Sequence, residues 1–111
     1  MTDKTTAAAA PTPLPSDKTL RNIAKLSINE DRPIMLDYFI PSLNGTASIG
    51  LRRTKQPDGS FKDTGEKLLV KSADEYTSVI SKTYKCEQEY IIFTENSIYV
   101  VSTSIKNTYI S

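Results

Sequence analysis

Residues 46–71, TASIGLRRTKQPDGSFKDTGEKLLVK, set the expected fold through their alternation of strand-forming residues and turns. Pro57-Asp58-Gly59 indicates a tight turn, because proline presets φ and glycine adopts positive φ without steric cost. The flanking segments predict strands at about Thr46–Thr54 and, after a break at Gly65, at Glu66–Lys71. In the first of these strands, alternation places Arg53 on the face opposite to Arg52.

A helix is predicted directly after this segment. Ser72-Ala73-Asp74-Glu75 matches a capping box, in which the serine side chain and the glutamate side chain satisfy each other's backbone N–H groups. The helix should cover about residues 73–85 and pack on the sheet. Its apolar stripe is expected to consist of Tyr76, Val79, Ile80 and Tyr84.

Upstream, two further elements are expected. Ser16-Asp17 can cap a short helix whose apolar positions include Leu20, Ile23 and Leu26. From Pro33 the apolar period changes to two, which predicts a strand over residues 34–40. Asn44-Gly45 then predicts the turn of a hairpin that joins this strand to the one beginning near Thr46.

The C-terminal part predicts a second hairpin. Tyr90–Thr94 and Ile98–Ile105 are β-branched and aromatic, and Glu95-Asn96-Ser97 joins them. Both faces of these runs are apolar, so the hairpin belongs either inside a sheet or at a subunit interface. The expected class is α+β: a curved, mainly antiparallel sheet of about five strands with one main helix packed on it.

The N-terminal segment differs in composition from the rest. Residues 1–16 are rich in Ala, Thr and Pro, which predicts a disordered tail before a single domain over residues 17–111. Neither a secretory signal nor an apolar run of about 20 residues is present, so we expect an intracellular protein, nuclear or cytoplasmic, with no membrane partner.

Catalytic and metal-binding residue types are scarce. The 111 residues include no histidine and one cysteine, Cys86, which excludes Ser-His-Asp chemistry and a multi-thiolate zinc site. The four glycines form no phosphate-binding loop. We therefore expect no enzyme, no cofactor and no metal; an enzymatic role would need residues from a partner chain.

The basic residues are unevenly distributed. The formal net charge is only +1, but residues 44–86 hold eight basic and five acidic groups. A basic β-surface beside an aromatic ring can bind nucleic acid, whereas the alternative interpretation is a solvated hairpin whose lysines protect an edge strand. The candidate nucleic-acid-binding residues are Arg52, Arg53, Lys55, Phe61, Lys62, Lys67 and Lys71.

Residues 49–76 resemble the positive-cofactor-four type of single-stranded-DNA-binding transcriptional coactivator. The similarity rests on Ile49-Gly-Leu-Arg52, on Pro57-Asp58-Gly59, on the Gly65-Glu-Lys67 strand start and on Ser72-Ala-Asp-Glu-Tyr76. It implies a homodimer formed partly through the helices, with Tyr76, Val79, Ile80 and Tyr84 at the interface. It also implies single-stranded DNA on the sheets, contacted by Arg52, Lys62 and Lys67, with Phe61 as a stacking platform.

Two functions follow as expectations. The first is a non-enzymatic, homodimeric protein that binds single-stranded DNA or another nucleic acid, with the transcription machinery as a further partner. The second is a scaffold or adaptor protein that self-associates through its C-terminal hairpin without binding nucleic acid.

Overall fold

Nine elements follow one another along residues 13–110, the part of the chain that the computed structural model describes. Helix α1 covers Asp17–Glu30 and helix α2 covers Phe39–Asn44. The strands are β1 (Ile34–Met35), β2 (Ser48–Lys55), β3 (Phe61–Val70), β4 (Ile80–Cys86), β5 (Glu89–Thr94), β6 (Ile98–Ser102) and β7 (Lys106–Ile110). Residues 1–12, most of the expected tail, lie outside the described part.

The strands form two mixed sheets. The first sheet has the order β1-β6-β5-β4 and the second has the order β3-β2-β7. Pairings β2/β3, β4/β5 and β5/β6 are antiparallel, whereas β1/β6 and β2/β7 are parallel. The α+β class is confirmed, but the expectation of one mainly antiparallel sheet of about five strands is wrong.

The predicted C-terminal hairpin forms the centre of the first sheet. Its side chains alternate between two apolar layers, one under the helices and one under the second sheet. The helix-side layer comprises Ile23, Phe39, Ile91, Phe93, Ile98 and Val100, and the sheet-side layer comprises Tyr38, Ala47, Leu69, Ile92, Val101 and Ile105. The hairpin therefore lies inside a sheet, one of the two positions that its apolar faces allow, and other parts of the chain pack against both of its faces.

Helix α1 begins where the sequence predicts. Ser16 is its N-cap and accepts from the backbone N–H of Thr19, and Ile23 is buried while Leu20 and Leu26 pack beside it. The cap is also tied to the first sheet, since Glu89 Oε1 accepts from Ser16 N (3.3 Å), Ser16 Oγ (3.0 Å) and Thr19 Oγ1 (2.7 Å). Ser16 and the buried Pro15 thus belong to the folded domain and not to a disordered tail.

The helix predicted over residues 73–85 is wrong. Ser72 Oγ does accept from the backbone N–H groups of Asp74 (3.2 Å) and Glu75 (3.1 Å), but these bonds close a local turn. The chain then runs into β4, which pairs with β5 from Ile80 to Cys86. A helix would also satisfy most of its own backbone N–H groups, so packing makes the difference. As a strand, the segment packs Ile80 between the sheets and Tyr84 against Phe93.

The strand predicted over residues 34–40 is also wrong. Only Ile34–Met35 forms a strand, and Phe39–Asn44 forms helix α2. Pro41 lies in the first turn of α2, where a backbone N–H makes no intrahelical hydrogen bond, so proline is tolerated there. Gly45, at φ 83°, ends α2. The Asn44-Gly45 signal therefore marks a helix end, and the expected hairpin at this turn does not form.

The hairpin in the middle of the sequence is longer than expected. Gly59 adopts φ 88°, and Asp58 Oδ1 accepts from Ser60 N at 2.9 Å, as the predicted turn requires. The Ser60 side-chain hydroxyl and its backbone N–H lower the pKa of Asp58. Gly65, the expected break, instead lies within β3 at φ 84°, opposite a shift in register between Leu51 and Arg53. Strand β3 therefore continues outward as far as Phe61.

The Glu89 carboxylate should contribute measurably to stability. Replacing Glu89 by alanine leaves the Ser16 and Thr19 donors without their acceptor at the positive end of α1, so we expect the free energy of unfolding to fall by about 2 kcal/mol. Glu95→Ala, at an exposed position in the β5–β6 turn, is the control and should change it by less than about 0.5 kcal/mol. Urea denaturation measures both; equal effects would contradict the assignment.

Alkaline pH should destabilise the fold through Tyr38. Burial, followed by the effects of Tyr99, Asp37 and Glu75, raises the pKa of Tyr38 from 10.0 to about 12. The folded state favours the neutral phenol of Tyr38. The contribution of Tyr38 to the free energy of unfolding is therefore complete below pH 10 and is lost as the pH rises through about 12. Urea denaturation across this range should show a steeper loss for the wild type than for Tyr38→Phe. Parallel curves would exclude Tyr38 as the cause.

Candidate nucleic-acid interface

The outer half of the β2–β3 hairpin is anchored at one end only. Ile49 and the buried Leu69 pack into the core near its base. Farther out, all seven residues from Phe61 to Lys67 are exposed. The hairpin thus presents two accessible faces away from the core.

Strand register decides which side chains share a face. Lys55 lies opposite Phe61, Arg53 opposite Asp63 and Leu51 opposite Lys67, and residues directly opposite in an antiparallel pair point to the same side. Strand β7 runs parallel on the other side of β2 and places Tyr109 beside Leu51. We call the surface formed by Arg53, Lys55, Phe61, Lys67 and Tyr109 the platform face.

Arg53 lies between two aromatic rings at the centre of the platform face. Its guanidinium carbon is 4.3 Å from the centroid of the Phe61 ring and 4.2 Å from that of Tyr109. Stacking buries Nε, which has no hydrogen-bond partner. Phe61 and Tyr109 are 47% and 56% exposed, so each ring retains accessible surface. The rings and the guanidinium form one continuous stack.

Positive charge surrounds this stack. Lys55 is exposed directly opposite Phe61, Lys67 is exposed opposite Leu51, and Asp63 is the acidic residue in register with Arg53. Among residues 13–110, no ion pair joins Arg53, Lys55 or Lys67 to a carboxylate. A cleft of about 270 Å³ continues from Lys67 toward the first sheet. The platform face therefore combines accessible aromatic rings with cations that make no ion pair within residues 13–110.

Three of the seven predicted binding residues lie elsewhere. Arg52 points to the opposite face, where its Nη1 is 3.0 Å from Glu66 Oε1. Lys62 shares that face, opposite Thr54. Lys71 Nζ lies 3.4 Å from Asp37 and 3.7 Å from Glu75 and contacts the Tyr38 ring. The seven candidate residues therefore lie on different surfaces, because alternation and local ion pairs separate them.

Tyr109 is the platform residue that the sequence analysis missed. The C-terminal run was expected to form a single strand to Ile105, but β6 ends at Ser102 and β7 begins at Lys106. The aromatic and β-branched residues from Thr108 to Ile110 were a usable strand signal. Their position next to β2 requires a parallel pairing, which local patterns do not indicate.

The four residues expected at a helical dimer interface do not form one surface. Ile80 packs against the core between the sheets, whereas Tyr84 lies edge-to-face with Phe93 on the helix side, at 5.7 Å. Tyr76 is 59% exposed and forms an isolated antiparallel β-bridge with Val70. Val79 lies immediately before β4. The predicted interface is wrong, because it depended on helical spacing in a segment that is extended.

Residues 13–110 contain no group of three or more His, Cys, Asp or Glu side chains placed to hold a metal ion. In the same range, no helix has the length and apolar character needed to cross a membrane. No family model, curated protein or solved structure matches this chain.

The aromatic stack should stabilise the outer hairpin. Arg53→Gln keeps much of the side-chain length but removes the cation, so we expect a loss of about 1 kcal/mol in the free energy of unfolding. Arg52→Gln is the matched control, since it breaks an exposed ion pair worth a few tenths of a kcal/mol. Chemical denaturation distinguishes the two, and a larger loss for Arg52→Gln would contradict the role of the stack.

Proposed function

We propose that this protein is a non-enzymatic single-stranded nucleic-acid-binding protein and that the platform face is its contact surface. The observation that carries the proposal is the Phe61–Arg53–Tyr109 stack with Lys55 and Lys67 on the same face. Proteins that bind single strands combine cations that follow the phosphate backbone with aromatic rings on which bases stack. The platform face has both components on one accessible sheet.

Each component has a separate role in the proposed complex. Lys55, Arg53 and Lys67 follow one another along the sheet, so phosphates of an extended strand would contact them in turn. Bases would stack on the accessible surfaces of Phe61 and Tyr109. Because every base has a π face, such binding tolerates many sequences, and no base-specific hydrogen bonding is invoked.

The low net charge limits the affinity. At +1 the whole chain exerts little long-range attraction, so binding must come from the local cations. Three phosphate contacts, at about 0.7 each, predict a slope of about 2 for the loss of log affinity against log salt concentration. This is a weak salt dependence compared with that of strongly basic proteins.

The resemblance of residues 49–76 to positive-cofactor-four coactivators motivates two further parts of the proposal: a role in transcription inside the cell and action as a homodimer. A dimer contact through a helix at residues 73–85 is not part of it, because this segment is a turn followed by β4. The resemblance in the strands includes Lys67, which is on the platform face, and Arg52, which is not.

A titration tests the proposal. Fluorescence anisotropy of a labelled oligothymidylate of about 12 nucleotides should show binding whose affinity falls with sodium chloride at the slope given above. Replacing Lys55 and Lys67 by alanine should lower that slope to about 0.7, because one of three phosphate contacts remains. Phe61→Ala should weaken binding by about 5-fold or more, since a stacking surface is lost.

Lys62→Ala is the matched control. Lys62 lies on the same strand as Phe61 but points to the opposite face, so its loss should leave the salt slope unchanged. Absence of binding at low salt would overturn the proposal. A loss of affinity for Lys62→Ala equal to that of Lys55→Ala would also overturn the assignment to the platform face, because it would indicate attraction by overall charge alone.

A further inference from the structure

A second surface lies on the other side of the first sheet, in a groove between α1 and β4. Its volume is about 580 Å³. Lys18, Asn22, Lys25 and Asn29 form the helix wall, and Tyr84 and Lys85 form the strand wall. The four helix residues follow the spacing i, i+4, i+7, i+11, which places them in one row along α1. We call this surface the α1–β4 groove.

The strand wall of the groove is an open sheet edge. Strand β4 is the last strand in the order β1-β6-β5-β4, and no strand of residues 13–110 pairs with its outer side. Ser81 through Lys85 are all exposed. In an antiparallel ladder alternate residues direct their N–H and C=O groups away from the partner, so β4 offers a row of unpaired backbone groups.

The groove is basic with an apolar floor. Lys18 and Lys25 line its helix wall, and its one carboxylate is Glu87, whose Oε2 is 3.9 Å from Lys18 Nζ. Leu26 and Ile91 lie beneath. The Asn22 side chain is already directed inward, since its Nδ2 donates to Cys86 Sγ at 3.3 Å. The complementary ligand carries negative charge and has some apolar side chains.

We propose that the α1–β4 groove binds an acidic peptide segment in an extended conformation, which adds to the first sheet as a strand beside β4. The peptide backbone pairs with the open edge, and alternate side chains enter the groove. Glutamate or aspartate side chains meet Lys18 and Lys25 on the helix wall, and an apolar side chain between them contacts Leu26.

A peptide fits this site better than a nucleic acid does. The unpaired backbone groups of β4 form a ladder with another peptide backbone, and a sugar-phosphate chain has no matching series of donors and acceptors. The groove also lacks the aromatic stack of the platform face, because its one ring, Tyr84, is held edge-to-face against Phe93. The two surfaces therefore select different polyanions.

The probe is a fluorescein-labelled peptide of about eight residues, with threonine at every second position and glutamate, valine and glutamate in turn at the positions between, so that one face carries both acidic and apolar side chains. Anisotropy at about 50 mM sodium chloride should show saturable binding to the full chain. Lys25→Glu should weaken binding by about 5-fold or more, because a groove cation becomes repulsive. Lys106→Glu, an equal charge reversal at an exposed β7 position, is the control and should change it by less than about 2-fold.

Two altered peptides test the strand pairing and the charge selection. Methylation of alternate peptide nitrogens removes backbone donors but keeps every carboxylate, and it should abolish binding. A peptide with lysine in place of each glutamate should also fail to bind. Equal binding of the methylated peptide, or equal loss with Lys106→Glu, would overturn the proposal. Displacement of the peptide by an oligothymidylate of similar length would also overturn it, because the groove would then be a nucleic-acid site.

Discussion

The fold depends on burial of both faces of the β5–β6 hairpin. Its alternate side chains enter two separate apolar layers, one shared with α1 and α2 and the other with the second sheet. Ile92, Ile98, Val100 and Val101 are fully enclosed, at 0% exposure. A hairpin buried on both faces fixes the position of everything packed on it, because a slip of one residue would exchange its two sets of side chains.

That constraint also positions the platform face. Strand β6 ends at Ser102, and the buried Ile105 anchors the connection that leads into β7. The second sheet is held at its base by Ile49 and Leu69, while its outer half extends beyond the core. The core therefore determines where β2 and β7 lie side by side, and the stacking of Arg53 follows from that pairing.

The two proposed surfaces differ in what the backbone contributes. On the platform face the strands of the second sheet are paired with one another around β2, and side-chain rings and cations form the contact surface. In the α1–β4 groove the open edge of β4 supplies hydrogen-bonding groups and the lysines select charge. A chain with a net charge of +1 can carry two basic sites only because its charges are distributed unevenly.

The sequence by itself determined the features that depend on neighbouring residues. The Ser16 cap, the Pro57-Asp58-Gly59 turn and the two-faced apolar pattern of residues 90–101 each act over a few positions, and the structure confirms them. The α+β class is confirmed as well, although the helix expected over residues 73–85 is replaced by a turn and β4. Four of the seven candidate binding residues, Arg53, Lys55, Phe61 and Lys67, lie on the platform face.

Only the tertiary structure decided the elements in which local and long-range interactions compete. The Ser72 cap contributes about 1 kcal/mol, which is less than the combined pairing and packing that draws Ile80–Cys86 into the first sheet. Tyr109 reaches Arg53 through a parallel pairing of residues more than fifty positions apart, which no local pattern encodes. Local patterns act through the nearest few residues, whereas strand partners and shared faces depend on how the whole chain packs.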